Sequence, residues 1–260
     1  AYALIDYSVA SAGEQEPVER LPFHEFRFED GTVWTEFFRL DDGYLLRFPD
    51  LADFKLSADG VRVTAYPTPG TDDATLEHLY VNQVVPLALS RQGRPAFHAS
   101  VVMVPGGCIA FLGKTGMGKS TLAASFALNG SAFLTDDSLI IEESDKAVLA
   151  MPSHASVRLW EDSLEALSSE QARYHVTYSS KTRILAGDEL EHAAEPQPLL
   201  AAYRLEGRVS DETEIKPLAG TDLHMAWVEN SFLLDIQDQD LLTRHLDWKH
   251  RISGRVPCFS

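Results

Sequence analysis

Gly113-Lys114-Thr115-Gly116-Met117-Gly118-Lys119-Ser120, with Thr121 directly behind it, decides how this chain is read. The stretch satisfies G-x-x-x-x-G-K-[ST] at every fixed position. Its glycines let successive backbone N–H groups converge on phosphate oxygens that side chains would otherwise obstruct. Lys119 is placed to reach the β- and γ-phosphates of a nucleotide, and the Ser120 hydroxyl to ligate Mg2+. An apolar strand, Cys108 to Leu112, precedes the loop. A helix over 119–129 follows, with Leu122 and Phe126 on its buried face and Gly130 to end it. Such a helix turns its positive N-terminal end toward a bound anion. A Gly-rich turn without a ligand is the weaker reading, because strand and helix flank the loop as a phosphate site requires.

Upstream, Ala96 to Val104 reads as a strand that Pro105-Gly106-Gly107 turns back into Cys108–Leu112. That hairpin sets His98 opposite Gly113 or Lys114, at the mouth of the loop. Downstream, a short strand over Ala132 to Leu134 returns the chain to the same edge, and Leu139 to Ile141 forms another. Asp136 and Asp137 are thereby delivered beside the γ-phosphate, 16 and 17 residues after Ser120. One carboxylate can orient the metal, and the other can accept a proton from an attacking hydroxyl. An Asp pair can also simply cap a turn, and a lone strand histidine is often a structural residue.

The rest of the chain bounds the class. Its 260 residues, 45% hydrophobic and 23% charged, suffice for a sizeable core without disulfides or metal. No apolar run reaches the roughly 18–20 residues of a membrane helix. With 22 basic against 39 acidic residues the formal charge is −17 and the pI about 4.8, which disfavours a nucleic-acid partner. Cys108 and Cys258 form no metal or redox spacing, and no secretory signal precedes the first strands. A cytoplasmic setting with no membrane partner is the expectation. Residues 20–66 alternate in the manner of a small antiparallel sheet, and Asp72 and Asp73 are placed to cap a helix running to about Arg91, with Pro86 kinking it. The expected organisation is a β-rich N-terminal region over 1–70 and a P-loop domain over 71–260. Past residue 145, a helix near 161–172, a strand near 199–206, and helices near 221–230 and 238–250 are expected.

Phe97-His98-Ala99-Ser100, the loop, and Thr135-Asp136-Asp137 together resemble the HPr kinase/phosphorylase superfamily and its kinase-like relatives. His98 stands 21 residues before Lys119, and Asp137 stands 17 after Ser120, as that family spaces its histidine and its base. The resemblance covers about 96–141. It implies an α/β fold built on a P-loop-containing sheet of the phosphoenolpyruvate carboxykinase-like type. It also implies a kinase that uses ATP and Mg2+ to phosphorylate a serine on a peptide or small protein. In that scheme Asp137 is the base, Asp136 and Ser120 place the metal, Lys119 stabilises the transferring phosphoryl group, and His98 supports the Asp pair. Stand-alone kinases of peptide natural-product pathways, lasso peptides included, are relatives of this kind, and a homo-oligomer is compatible with the reading. The family's metal Glu and later basic residue have only rough counterparts here, Glu142 or Glu143 and Arg158, Lys181 or Arg183. The rival from another class is a regulatory module, or an NTPase, that binds nucleotide without a peptide acceptor.

Overall fold

The computed structural model describes residues 5–28, 30–153, 156–159, 173–175, 182–185, 191–207 and 214–260. The chain is a mixed α/β protein that divides into two compact units, one up to Gln92 and one from Gly93 to Ser260. The N-terminal unit is a six-stranded sheet in the order β1-β6-β5-β4-β3-β2, formed by β1 (Asp6–Val9), β2 (His24–Arg27), β3 (Val33–Leu40), β4 (Gly43–Phe48), β5 (Ala52–Ser57) and β6 (Arg62–Pro67). All its pairings are antiparallel except β1 on β6.

The division falls after Gln92, where the sequence reading placed a boundary at residue 70. Helix α1 (Asp73–Leu79), a π-helical turn (Tyr80–Val84) and α2 (Val85–Arg91) group with the N-terminal sheet for identifiable reasons. Arg91 Nε donates to Ala58 O at 2.7 Å and Gln92 Nε2 to Gly60 O at 2.8 Å. Gly60, at φ +74°, lies so close to α2 that a Cβ there would come within 2.5 Å of Ala88 O. Tyr80 stacks on Tyr7 with centroids 3.6 Å apart. Asp72 caps α1 through Thr75 N–H as anticipated, and the π turn runs directly into α2, whose second residue is Pro86, where a missing N–H cannot close an ordinary helical bond.

The second unit carries the loop. Its main sheet runs β10-β8-β9-β16-β12-β11-β7, with β17 (Cys258–Phe259) also paired to β16. The strands are β7 (Ala96–Phe97), β8 (Ala99–Val104), β9 (Gly107–Leu112), β10 (Phe133–Thr135), β11 (Leu139–Glu143), β12 (Val148–Met151) and β16 (Gln197–Arg204). Helix α3 (Lys119–Leu128) crosses one face, while α4 (Gly220–Val228) and α5 (Gln239–Ser253) supply further helical cover. Alternation along β9 explains how the sheet is buried on both sides. Cys108, Ala110 and Leu112 enter a core with Trp227, Trp248 and Ile252, whereas Phe111 joins Ala123, Ala124, Ala127 and Phe133 under α3. The buried stripe of α3 is therefore its alanines, with Leu122 and Phe126 only partly covered. Small side chains let the helix lie close on the sheet, a preference that apolar size alone does not reveal. Gly130, at φ +89°, ends α3 in a Schellman arrangement, with Ser131 N–H on Phe126 O at 3.1 Å and Gly130 N–H on Ala127 O at 3.0 Å.

A separate three-stranded sheet, β13-β15-β14, contains β13 (Ser156–Leu159), β14 (Arg173–His175) and β15 (Thr182–Leu185). The helix expected near 161–172 lies outside the described residues. Among the described residues no helix is long and apolar enough to cross a membrane.

Candidate active site

The expected single strand from Ala96 to Val104 is interrupted at one residue, His98, and that interruption organises the site. On one side, β7 pairs with β11 through Phe97↔Leu139. On the other, β8 pairs with β10 through Val101↔Thr135. The register is the same on both sides, so the gap sets 98–100 against 136–138. It is one antiparallel ladder opened in the middle, and the opened residues include His98, Asp136 and Asp137.

Several of the opened residues bond elsewhere. Ser100 Oγ donates to Asp136 Oδ1 at 2.5 Å, with both residues buried. His98 Nδ1 lies 3.0 Å from the main-chain carbonyl of Asp137. A carbonyl only accepts, so Nδ1 carries the proton and the ring is held in one tautomer. His98 thus reaches Asp137 at its backbone. Asp137 adopts φ +67°, in the left-handed region that a non-glycine residue enters at a cost. Thr135 Oγ1 donates to Ser138 O at 2.7 Å and also meets Ser153 Oγ. Ser138 Oγ is buried and has no hydrogen-bond partner among the described residues. An orphan of that kind costs about 1–3 kcal/mol. Strain and an unsatisfied hydroxyl on neighbouring residues are features that structures retain at working sites.

The glycine-rich loop joins β9 to α3, in the strand–loop–helix order expected from the sequence. Gly116 and Gly118 have φ of +86° and +84°, conformations open to glycine at no steric cost. Gly113 is buried, and a Cβ on it would stand 3.0 Å from Leu205 O. Lys114, Thr115, Gly116 and Met117 are exposed, while Ser120 and Thr121 are half-buried in the first turn of α3. The Lys119 ammonium is buried within the curve of the loop, donating to Gly113 O at 2.6 Å and Lys114 O at 3.1 Å. Because β10 is antiparallel to β8, and β8 to β9, the strand after α3 returns parallel to β9. Asp136 and Asp137 therefore follow a strand that ends at the same sheet edge as the loop.

The β8–β9 ladder ends at Ala99↔Leu112, so its next pair would have been His98 with Gly113, one of the two facing partners expected from the hairpin. The structure puts Asn230 there instead. Gly113 N–H donates to Asn230 Oδ1 at 2.9 Å, and His98 N–H to Asn230 O at 2.6 Å. Neither Ser100 nor Asn230 was singled out from sequence. Ser100 could have been found by register, since it faces the Asp pair, but Asn230 stands 117 residues from Gly113 and carries no local signal.

The further candidates fall elsewhere. Glu142 is ion-paired with Arg94, and Glu143 with Arg251 at 3.0 Å and Arg255 at 3.7 Å, so both serve as structural partners near the far end of β11. Arg158 and Arg183 are register partners on β13 and β15. Lys181 lies outside the described residues.

No protein-family model matches the sequence, and no curated protein does. Among solved structures, the chain is similar to the Hpr(Ser) kinase/phosphatase from Coxiella burnetii at 13% identity and a TM-score of 0.31. The match covers 61% of this chain and 92% of that one. The residues, and not that likeness, carry the chemistry.

Proposed function

We propose that the protein is an ATP- and Mg2+-dependent kinase of the HPr-kinase-like type, on a P-loop sheet related to that of phosphoenolpyruvate carboxykinase, and that its acceptor is a serine hydroxyl on a peptide or small protein. A precursor peptide of a natural-product pathway is the acceptor class this reading favours. The observation that carries it is the opened ladder: one gap presents a strained Asp137 and a hydrogen-bonded Asp136 at the sheet edge that bears the phosphate loop. A protein that only binds nucleotide gains nothing from a buried, strained second carboxylate there.

In this reading the loop amides and the N-terminus of α3 hold the phosphates, and Lys119 meets the charge that develops on the transferred group. The Asp137 carboxylate takes the proton of the acceptor hydroxyl as its oxygen bonds to the γ-phosphorus and the bond to the departing ADP breaks. The Ser120 hydroxyl and the Asp136 carboxylate are hard oxygen donors suited to Mg2+, which when bound neutralises phosphate charge. Ser100 holds Asp136 in place for that task, and His98 holds the Asp137 main chain.

The test uses γ-labelled ATP with a panel of serine-bearing peptides and compares nucleotide affinity with single-turnover rate. Asp137→Asn should keep nucleotide binding and lose about 10²–10⁴-fold in transfer. Asp136→Asn should weaken Mg2+-dependent nucleotide binding, and Lys119→Ala should abolish transfer. If Asp137→Asn and Asp136→Asn both transfer at the wild-type rate, the pair merely caps a turn and the kinase reading fails. Nucleotide binding with no transfer to any peptide would leave the regulatory module as the answer.

A further inference from the structure

Three hydrogen bonds meet at Asn230, just beyond the end of α4. Its side-chain oxygen accepts from Gly113 N–H at 2.9 Å, its Nδ2 donates to Ala226 O at 2.9 Å, and its main-chain oxygen accepts from His98 N–H at 2.6 Å. The amide orientation follows from chemistry, because a backbone N–H can only donate and a carbonyl only accept. Asn230 is 8% exposed. The neighbouring main chain is fixed as well: Ser231 bridges Phe97, and Phe232 N–H donates to Ala96 O at 2.9 Å. Trp227, fully buried one turn earlier, packs edge-on against Phe97 with centroids 5.0 Å apart.

The pattern links two things that the kinase reading needs kept apart at a constant distance. Gly113 opens the phosphate loop. His98 bonds the main chain of Asp137 at 3.0 Å. Between them the β8–β9 ladder has ended, so no strand pairing holds loop and base together at this point. Asn230 supplies the missing link through its side chain on one side and its backbone on the other.

We infer that Asn230 is a positioning residue that holds the phosphate loop in register with the Asp137 base, so that α4 sets the distance between bound phosphate and proton acceptor. The inference rests on the proposed kinase chemistry for its catalytic consequence, but not for the link itself. Loss of the side chain leaves Lys119 and the loop amides able to bind nucleotide. What loosens is the alignment between the γ-phosphate and Asp137, and a misplacement of about 1 Å costs on the order of 10²-fold in rate.

The experiment pairs a kinetic readout with a structural one. In Asn230→Ala, turnover per bound nucleotide should fall at least about tenfold while KM for ATP stays within about threefold. Asn230→Asp keeps the acceptor for Gly113 but brings a carboxylate toward the phosphates, so it should raise KM for ATP instead. Amide hydrogen exchange in the Asn230→Ala protein should speed up at Gly113 and His98 together, with core amides such as those of Val101 and Ala110 unchanged. Wild-type turnover per bound nucleotide in Asn230→Ala overturns the inference, and so does faster exchange at Gly113 alone. A uniform rise in exchange across the unit makes Asn230 a general structural residue, which also overturns it. If the wild-type protein transfers no phosphate, the kinase reading falls, and the exchange result still decides whether Asn230 joins the two sites.

Discussion

Asp137 is the residue at which stability and activity should separate. It sits at φ +67°, 6% exposed, in the middle of the opened ladder. A left-handed conformation costs an L-residue about 1–2 kcal/mol, and glycine nothing sterically. Glycine carries its own entropic cost of about 0.5–1 kcal/mol in the unfolded chain. Asp137→Ala keeps the steric penalty and loses the carboxylate; Asp137→Gly loses both. The two variants should therefore differ by about 1 kcal/mol in favour of glycine, which for a unit of this size is about 2–4 °C in Tm. Both should lose about 10²–10⁴-fold in phosphoryl transfer, because neither has a base. The assay is thermal unfolding of wild type and both variants, with single-turnover transfer measured on the same preparations. Equal stability of the two variants would refute the strained conformation. Wild-type transfer by either one would refute the role of Asp137 as base.

Lys249, on α5, is 3% exposed, and burial pushes its amine down to about 8. With the folded pKa below the unfolded one, stability is greatest above about pH 10.5, falls as the pH drops toward 8, and is level below that. Lys249→Met should therefore stabilise the protein at pH 7 by about 1–3 kcal/mol, allowing for solvent screening at the amine; the gain should disappear by about pH 11, and a gain independent of pH would sink the explanation. The Cys108 and Cys258 thiols are pushed up to about 12 and about 11, chiefly by burial. Neither should react with iodoacetamide in the folded protein at pH 8, and both should on unfolding; labelling of either at the rate of a free thiol contradicts the buried placement.

The parts legible in the sequence are those whose chemistry is local. A phosphate loop needs glycines, Lys119 and Ser120 within a few residues, and the hairpin and helix around it follow from turn and periodicity signals. The strand that precedes Asp136 and Asp137 was within reach for the same reason, since a helix of known rise returns the chain to the sheet edge that bears the loop. The break at His98 was not legible, because Ala96 to Val104 is uniformly strand-like. The residue that takes up His98 N–H arrives from just beyond α4, more than a hundred positions away. The helices before residue 92 were recognised, but their unit was not. Their attachment depends on the close approach at Gly60 and on side chains reaching the carbonyls of residues 58 and 60, which periodicity does not report.

An opened ladder is expensive, since each buried backbone group left unpaired costs about 1–3 kcal/mol. Some of the bonds made around the gap also build the site. On the opposite side of the strand, where the β8–β9 ladder has ended, His98 N–H is taken by Asn230 O. Asp137 O is taken by the His98 ring and Ser138 O by Thr135 Oγ1. The His98 ring's bond to Asp137 O thus both compensates the gap and holds the main chain of the candidate base. A substitution that closed the ladder would strengthen the sheet and remove the left-handed backbone conformation of Asp137. The sheet is stable enough to hold the gap open because its two faces are buried, under α3 on one side and against Trp227 and Trp248 on the other.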